Sequence, residues 1–246
     1  MSEAPDLASP VAGWRLWHLG QDHDGPLLVS PLRPLAWSPR RAVTATCPTG
    51  CREPPTWHCT CGLYAAADLD AVAGYVGAPA VVGCTALWGR VVEGTAGWRA
   101  ARAYPLVLFV PVGDTRPGVL DAMASASRRA VFRGRTGPLL GPLGDDVRQA
   151  LGERYGVPVH ALPIEHLGFL HPGVGAVRRA RRRLRTDATV AGGRTRAVGA
   201  ADALRQEAAG GLAARRLGDR DAERRLDTAV ERLLSALRPD PPPIAV

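Results

Sequence analysis

From Gly13 to Leu19 the chain alternates apolar and polar positions, the period of a half-buried strand. Gln21 to Pro26 carries Asp, Gly and Pro and reads as a turn, and Leu27 to Ser30 runs back, so a hairpin is predicted. Trp37-Ser38-Pro39 breaks the chain before a third strand, Ala42 to Thr46. From Leu63 to Tyr75 the chain is Ala-rich, with Leu69, Val72 and Ala73 on one side, and this predicts a short amphipathic helix. A longer hairpin follows. Val81 to Glu93 is β-prone, Gly94 to Gly97 turns, and Trp98 to Pro105 leads into the apolar run Leu106 to Val110. Val119 to Phe132 is helix-prone, whereas Arg133 to Gly144 is dense in Gly and Pro and reads as loop. Asp145 or Asp146 can cap a helix through Tyr155, which Gly156 ends, and Val157 to Leu162 forms a last strand.

The pattern changes in the final third. Ala191 to Gly193 reads as a flexible break, and Ala197 to Leu217 is helix-prone, although Gly210 and Gly211 should kink or divide it. Asp219 can cap a last helix to Arg238, stopped by Pro239 and Pro241 to Pro243. Leu226, Val230, Leu233 and Leu237 give that helix one apolar seam, too short for an independent coiled coil, so it packs on the domain or on a partner.

Charge sharpens this division. The formal charge of +8 comes entirely from Arg on the basic side, since the sequence has no Lys; with abundant Ala, Gly and Pro this reads as a GC-rich coding bias. Residues 1–172 hold 15 Arg against 14 acids, while residues 173–246 hold 16 Arg against 9 acids. The excess is concentrated at Arg178, Arg179, Arg181, Arg182, Arg183 and Arg185, a run suited to phosphates or an acidic protein partner. The expected organisation is a disordered lead over 1–12, a β-rich domain over 13–172, a basic linker over 173–196, a helical extension over 197–238 and a Pro-rich tail over 239–246. Met1 to Pro10 lacks the basic start and apolar core of a secretory segment, and no apolar run is long enough to span a bilayer, so a cytoplasmic protein without a membrane partner is expected.

Chemistry is concentrated in one stretch. Cys47-Pro48-Thr49-Gly50-Cys51 is followed by Arg52 to His58 and then by Cys59-Thr60-Cys61-Gly62. Thiolates gathered on a Pro- and Gly-rich loop suit a soft divalent metal or an iron–sulfur cluster, because tight turns let the ligands converge. A disulfide framework and unligated thiols are the alternatives. The first sits poorly with the missing secretory segment, and the second with the habit of free Cys to be buried singly. Cys47, Cys51, Cys59 and Cys61 are therefore the expected ligands, of zinc or alternatively of an iron–sulfur cluster. The Cys-x3-Cys and Cys-x-Cys spacing departs from the paired Cys-x2-Cys of zinc ribbons. His58 is a substitute ligand or a donor behind the thiols, sterically awkward beside Cys59. Cys84 stands alone in an apolar run and reads as core.

The long hairpin offers a second surface. Trp88, Trp98 and Tyr104 are expected to cluster, with Arg90, Arg99 and Arg102 on one face. That arrangement either pairs aromatics across the strands or presents rings and cations to a base, a nucleotide or an acidic peptide. No phosphate-cradling Gly loop, nucleophile elbow or His-Glu-x-x-His is present. Glu53 could serve a zinc-bound water only if the metal kept an open position, which four thiolates deny it.

Cys59-Thr60-Cys61-Gly62-Leu63-Tyr64-Ala65, followed by Ala86-Leu87-Trp88-Gly89 and by Gly97-Trp98-Arg99-Ala100 with Ala103-Tyr104-Pro105, resembles a family of uncharacterised bacterial and phage proteins. Its members share a Cys-x-Cys-Gly-aliphatic-Tyr-Ala segment and an Ala-Leu-Trp-Gly hairpin. The resemblance covers Trp14 to Pro105 and resumes at Glu153 to Pro158. Relatives often carry His near the position of Cys51, and since a metal site tolerates that exchange where a disulfide does not, the resemblance implies a metal. It implies no activity.

The expected fold class is α+β: a small β-rich domain of antiparallel hairpins with a Cys-rich metal knuckle, plus a helical basic C-terminal extension. The first functional expectation is a non-catalytic, zinc-stabilised binding or adaptor module whose basic tail engages nucleic acid or an acidic partner. An iron–sulfur redox or sensing protein, and an enzyme using the aromatic hairpin as its pocket, are the alternatives.

Overall fold

The structure, a computed structural model, describes residues 6–31, 35–73, 80–112, 137–138, 145–163, 188–216 and 219–237. In chain order these form β1 (Asp6–Asp22), β2 (Gly25–Val29), β3 (Ala36–Trp37), β4 (Val43–Thr44), β5 (Leu63–Ala66), α1 (Leu69–Ala73), β6 (Ala80–Gly94), β7 (Gly97–Val112), β8 (Gly137–Pro138), α2 (Asp145–Tyr155), β9 (Val159–Pro163), α3 (Ala188–Arg216) and α4 (Arg220–Leu237). The class is α+β, built on one mostly antiparallel sheet; β9 alone among the described strands runs parallel to its neighbour, β7.

Both predicted hairpins form. Asp22 pairs Gly25 across the first turn, and Gly94 pairs Gly97 across the second. The long strands β6 and β7 do more than pair with each other. β6 also pairs β1, β7 pairs β5, and Trp14 of β1 meets Ala66 of β5, so β1–β6–β7–β5 closes into a circuit. Closing a sheet requires bent strands, and bulges supply the bends. The register shifts between Cys84 and Thr85, whose partners are Val107 and Pro105 with Leu106 as the extra residue between them, and again between Trp88 and Val91, where Gly89 adopts a φ of 71°.

The sheet separates two apolar clusters. Trp17, Leu28, Trp37, Leu63, Leu87, Ala100 and Leu108 pack with Leu151 and Tyr155 of α2. The Tyr155 hydroxyl accepts from Leu28 N at 2.8 Å and donates to Trp37 O at 2.7 Å, fixing α2 to the first hairpin. On the other side, Trp14, Val82, Val107 and Phe109 pack with Ala197, Ala201, Leu204 and Ala208 of α3 and with Leu226, Val230, Leu233 and Leu237 of α4. The seam read from the sequence is thus part of the sheet's own core. Asp219 caps α4 through its carboxylate, which accepts from Asp221 N at 2.9 Å and Ala222 N at 3.2 Å.

Four expectations change. The strand β1 begins at Asp6, inside the expected lead, because the length of β6 offers it Arg90 and Gly89 as partners. Leu63 to Ala66 is extended, not helical, since its alternating buried and exposed residues complete an edge of β7; only Leu69–Ala73 is helix. Ala188 to Arg216 is one helix, which starts within the expected linker and runs through Gly210 and Gly211. Helix propagation is cooperative, and packing on α4 and the sheet outweighs the weak propensity of two glycines. The helix expected over Val119 to Phe132, the Arg178–Arg185 run and the Pro-rich tail lie outside the described residues.

Candidate metal centre

The Cys-rich segment is an excursion from a single strand track. Ala45 N donates to Ala101 O at 2.7 Å, and Leu63 pairs Ala100, the next residue along β7. The chain therefore leaves the edge of β7 at Thr46 and rejoins it at Gly62 almost where it left. Anchoring both ends on one rigid strand closes the loop before any ligand binds. Gly50 turns with φ 84° and donates to Cys47 O at 3.3 Å, while Cys59 N donates to Thr56 O at 3.3 Å. Gly62 makes the exit turn with φ 124°, where a Cβ would lie 3.1 Å from the Cβ atoms of both Arg99 and Pro55. A residue other than glycine there would be strained and crowded at once.

These turns bring the Sγ atoms of Cys47, Cys51, Cys59 and Cys61 within 4.8 Å of one another, with Cys47 and Cys59 at 3.6 Å. No disulfide joins them. Tetrahedral Zn–S bonds of about 2.3 Å put the sulfurs about 3.8 Å apart, so the four thiols already span the volume of one ion. Cys61 is buried and the other three are half-buried, which gives the site a closed floor and a reachable rim.

Hydroxyls tune the thiols. Thr49 Oγ1 lies 3.0 Å from Cys47 Sγ and 3.4 Å from Cys59 Sγ, and Thr56 Oγ1 lies 3.5 Å from Cys51 Sγ. Donation from Thr49, helped by the Cys51 backbone, holds the Cys47 thiol down to about 5, and Thr49 likewise lowers Cys59. Burial acts oppositely on Cys61 and pushes it up to about 12.

Two arginines hold the loop from β6 and β7. The Arg99 guanidinium donates to the carbonyls of Cys59, Cys61 (3.0 Å) and Trp57 (3.3 Å). Arg90, turned by the Gly89 bulge, donates to Glu53 O at 2.8 Å and to the Glu53 carboxylate at 2.7 Å. Glu53 is thereby occupied by an ion pair and not directed at the thiols. His58 is exposed and stands outside the thiol group.

The other residues expected to share a binding face are dispersed. Trp88 packs against the α3–α4 side of the sheet, whereas Trp98 and Tyr104 pack against the opposite cluster. Trp98 carries the Arg205 guanidinium 5.4 Å from its ring centre. The Tyr104 hydroxyl accepts from Arg40 N at 2.8 Å and donates to Tyr155 O at 2.6 Å. Arg102 is exposed on the solvent side of β7. The bulge between Trp88 and Val91 breaks the alternation that had put these side chains together.

Sequence reasoning missed Thr49 and Thr56 beside the thiols, and it missed Arg99 and Arg90 as clamps. Asp22, His23 and Asp24 form another group able to face an ion, but it is an exposed hairpin turn whose Asp22 is held by Arg154 at 3.1 Å. Among the described residues no helix is long and apolar enough to cross a membrane. No protein family matches the chain, and neither a curated protein nor a solved structure is significantly similar to it. What the chain offers for a functional reading is therefore its own geometry: a four-thiol cluster able to hold a metal ion.

Proposed function

We propose that the chain is a non-catalytic binding module whose knuckle is held by one zinc ion on Cys47, Cys51, Cys59 and Cys61. The observation that carries this reading is the span of the four Sγ atoms, all within 4.8 Å, which suits a single tetrahedral ion. An iron–sulfur cluster interposes sulfides and several irons and needs its ligands spread more widely. Four thiolates leave a zinc ion no open position for substrate or water, so its contribution is to stability and to the shape of the loop. Arg178, Arg179, Arg181, Arg182, Arg183 and Arg185 supply the basic character for nucleic acid or an acidic protein partner. An enzyme pocket on the aromatic hairpin draws less support, since Trp88 packs in a different apolar cluster from Trp98 and Tyr104, and the Trp98 ring carries Arg205.

The test is elemental analysis and a visible spectrum of protein purified without chelator. One zinc per chain in a colourless sample is the expected result. Iron with visible absorption would replace this reading with the redox one, and the absence of both metals would end it. Chelation should also destabilise the fold, because the unfolded chain has no formed site.

A further inference from the structure

Trp57 and Tyr64 are the exposed large hydrophobic side chains of the described residues, at 47% and 48% exposure. Trp14, Trp17 and Trp37, by contrast, are buried. Both exposed rings belong to the knuckle, one inside the loop and one on the strand that receives it. Neither is loose. The Tyr64 hydroxyl donates to Thr60 O at 2.5 Å, and the Trp57 carbonyl accepts from Arg99, the cross-strand partner of Tyr64. The Tyr64 ring and the Trp57 backbone are thus held within one arginine's reach of each other, and each ring leaves about half its surface in water.

The charge around them is mainly basic, with exposed Glu93, the partner of Trp98 across β6 and β7, the acidic exception. Arg52 is exposed on the loop, and Arg102 is exposed three residues beyond Arg99, about 10 Å along β7. The nearby carboxylate of Glu53 is neutralised by Arg90. Rings held at fixed positions amid cations are what single-stranded nucleic acid recognises: bases stack on the rings and phosphates meet the cations. An acidic peptide would use the cations but gains little from two flat faces.

We infer that this face of the knuckle is a stacking platform for single-stranded nucleic acid, with Trp57 and Tyr64 taking bases and Arg52 and Arg102 taking phosphates. The inference rests on the metal-bound reading of the loop, because the ring positions depend on the folded knuckle. Its recognition is tolerant of sequence, since every base has a π-face.

The test uses full-length protein with its metal content measured on the same sample. Binding of fluorescein-labelled oligo(dT) and oligo(U) is followed by anisotropy over a salt series, with a labelled poly-Glu peptide alongside. Affinity for the oligonucleotides should fall as salt rises, and Trp57→Ala should weaken it by about 5- to 150-fold, the range for one lost stacking contact. Trp57→Phe, which keeps a ring, should retain most of it, and Arg52→Gln with Arg102→Gln should flatten the salt dependence. Metal-free protein would defeat the metal reading, whereas metal-loaded protein that ignores both oligonucleotides would defeat this inference alone. Binding untouched by Trp57→Ala but lost on replacing the Arg178–Arg185 run with Gln would assign nucleic acid to the tail and overturn it. Preference for the acidic peptide would overturn it too. Should Trp57→Ala shed its metal, Tyr64→Ala and the paired Arg substitutions, assayed in metal-loaded protein, decide the question by the same criteria.

Discussion

Removing the Arg99 side chain should weaken metal binding more than it weakens the sheet. In the folded protein one guanidinium gathers the carbonyls of Trp57, Cys59 and Cys61, two of which belong to proposed ligands. Taken singly, hydrogen bonds from a charged donor contribute about 1.5–3 kcal/mol, but three made by one guanidinium do not simply add. The bond to Trp57 is exposed and those to Cys59 and Cys61 are half-buried, so water replaces part of the lost donation, and a bound metal would still hold the loop. The relevant magnitude is that of a group that orients metal ligands, about 10- to 100-fold in affinity, or ~1.4–2.8 kcal/mol. Arg99→Ala is therefore expected to lose zinc to a chromogenic chelator at correspondingly lower chelator concentration. Arg99→Lys should recover only part of the loss, because a point charge on a flexible stem cannot serve three carbonyls at once. Arg102→Ala, which removes an exposed side chain of the same strand, should leave metal affinity unchanged. An Arg99→Ala protein that competes for zinc as well as its parent, with an unaltered far-ultraviolet spectrum, would refute the assignment of Arg99 as the clamp.

The remaining predictions concern the turn, the thiols and the helical layer. Gly62→Ala should cost about 1–3 kcal/mol in urea unfolding, since φ 124° is unfavourable for a side chain and its Cβ would crowd Arg99 and Pro55 at 3.1 Å. In metal-stripped protein at neutral pH, iodoacetamide should alkylate Cys47 before Cys61, as read by peptide mass spectrometry. A thiolate exists above its pKa, so Cys47 reactivity should persist as pH falls and be lost only near 5, while Cys61 should stay protonated until about 12. Cys84→Ala should leave zinc content unchanged, because Cys84 is buried in β6 away from the thiol cluster. Leu233→Ala should destabilise by about 2–5 kcal/mol, and a chain ending at Pro172 should be poorly soluble, because α3 and α4 cover Trp14, Val82 and Phe109. A soluble, cooperatively folding truncated chain would show that the helices are an appendage after all.

Local chemistry made much of this protein legible. Alternation and turn residues identified both hairpins, the Asp145-Asp146 pair and Gly156 bounded α2, and Asp219 marked the start of α4. The four cysteines announced their own convergence, because only short turns connect them and glycine supplies the dihedrals. Each of these features depends on residues close together in sequence, where steric preference and hydrogen bonding act before any tertiary contact exists.

What the sequence could not contain is the relation between distant strands. Leu63 to Ala66 has an Ala-rich composition suited to a helix, and only an open edge on β7 makes it a strand. The apolar seam of α4 was visible, but its cover was not: Trp14 and Phe109 are distant in sequence and become one surface only when β1, β6 and β7 assemble. Trp88 and Trp98 were expected together because alternation carries a side chain's direction along a regular strand. A single bulge at Gly89 cancels that inference, and the same bulge turns Arg90 onto Glu53. Exposure likewise belongs to the fold. Six tryptophans look alike in a sequence, and it took the closed sheet, two covering layers and a loop standing off its edge to leave the ring of Trp57 in water.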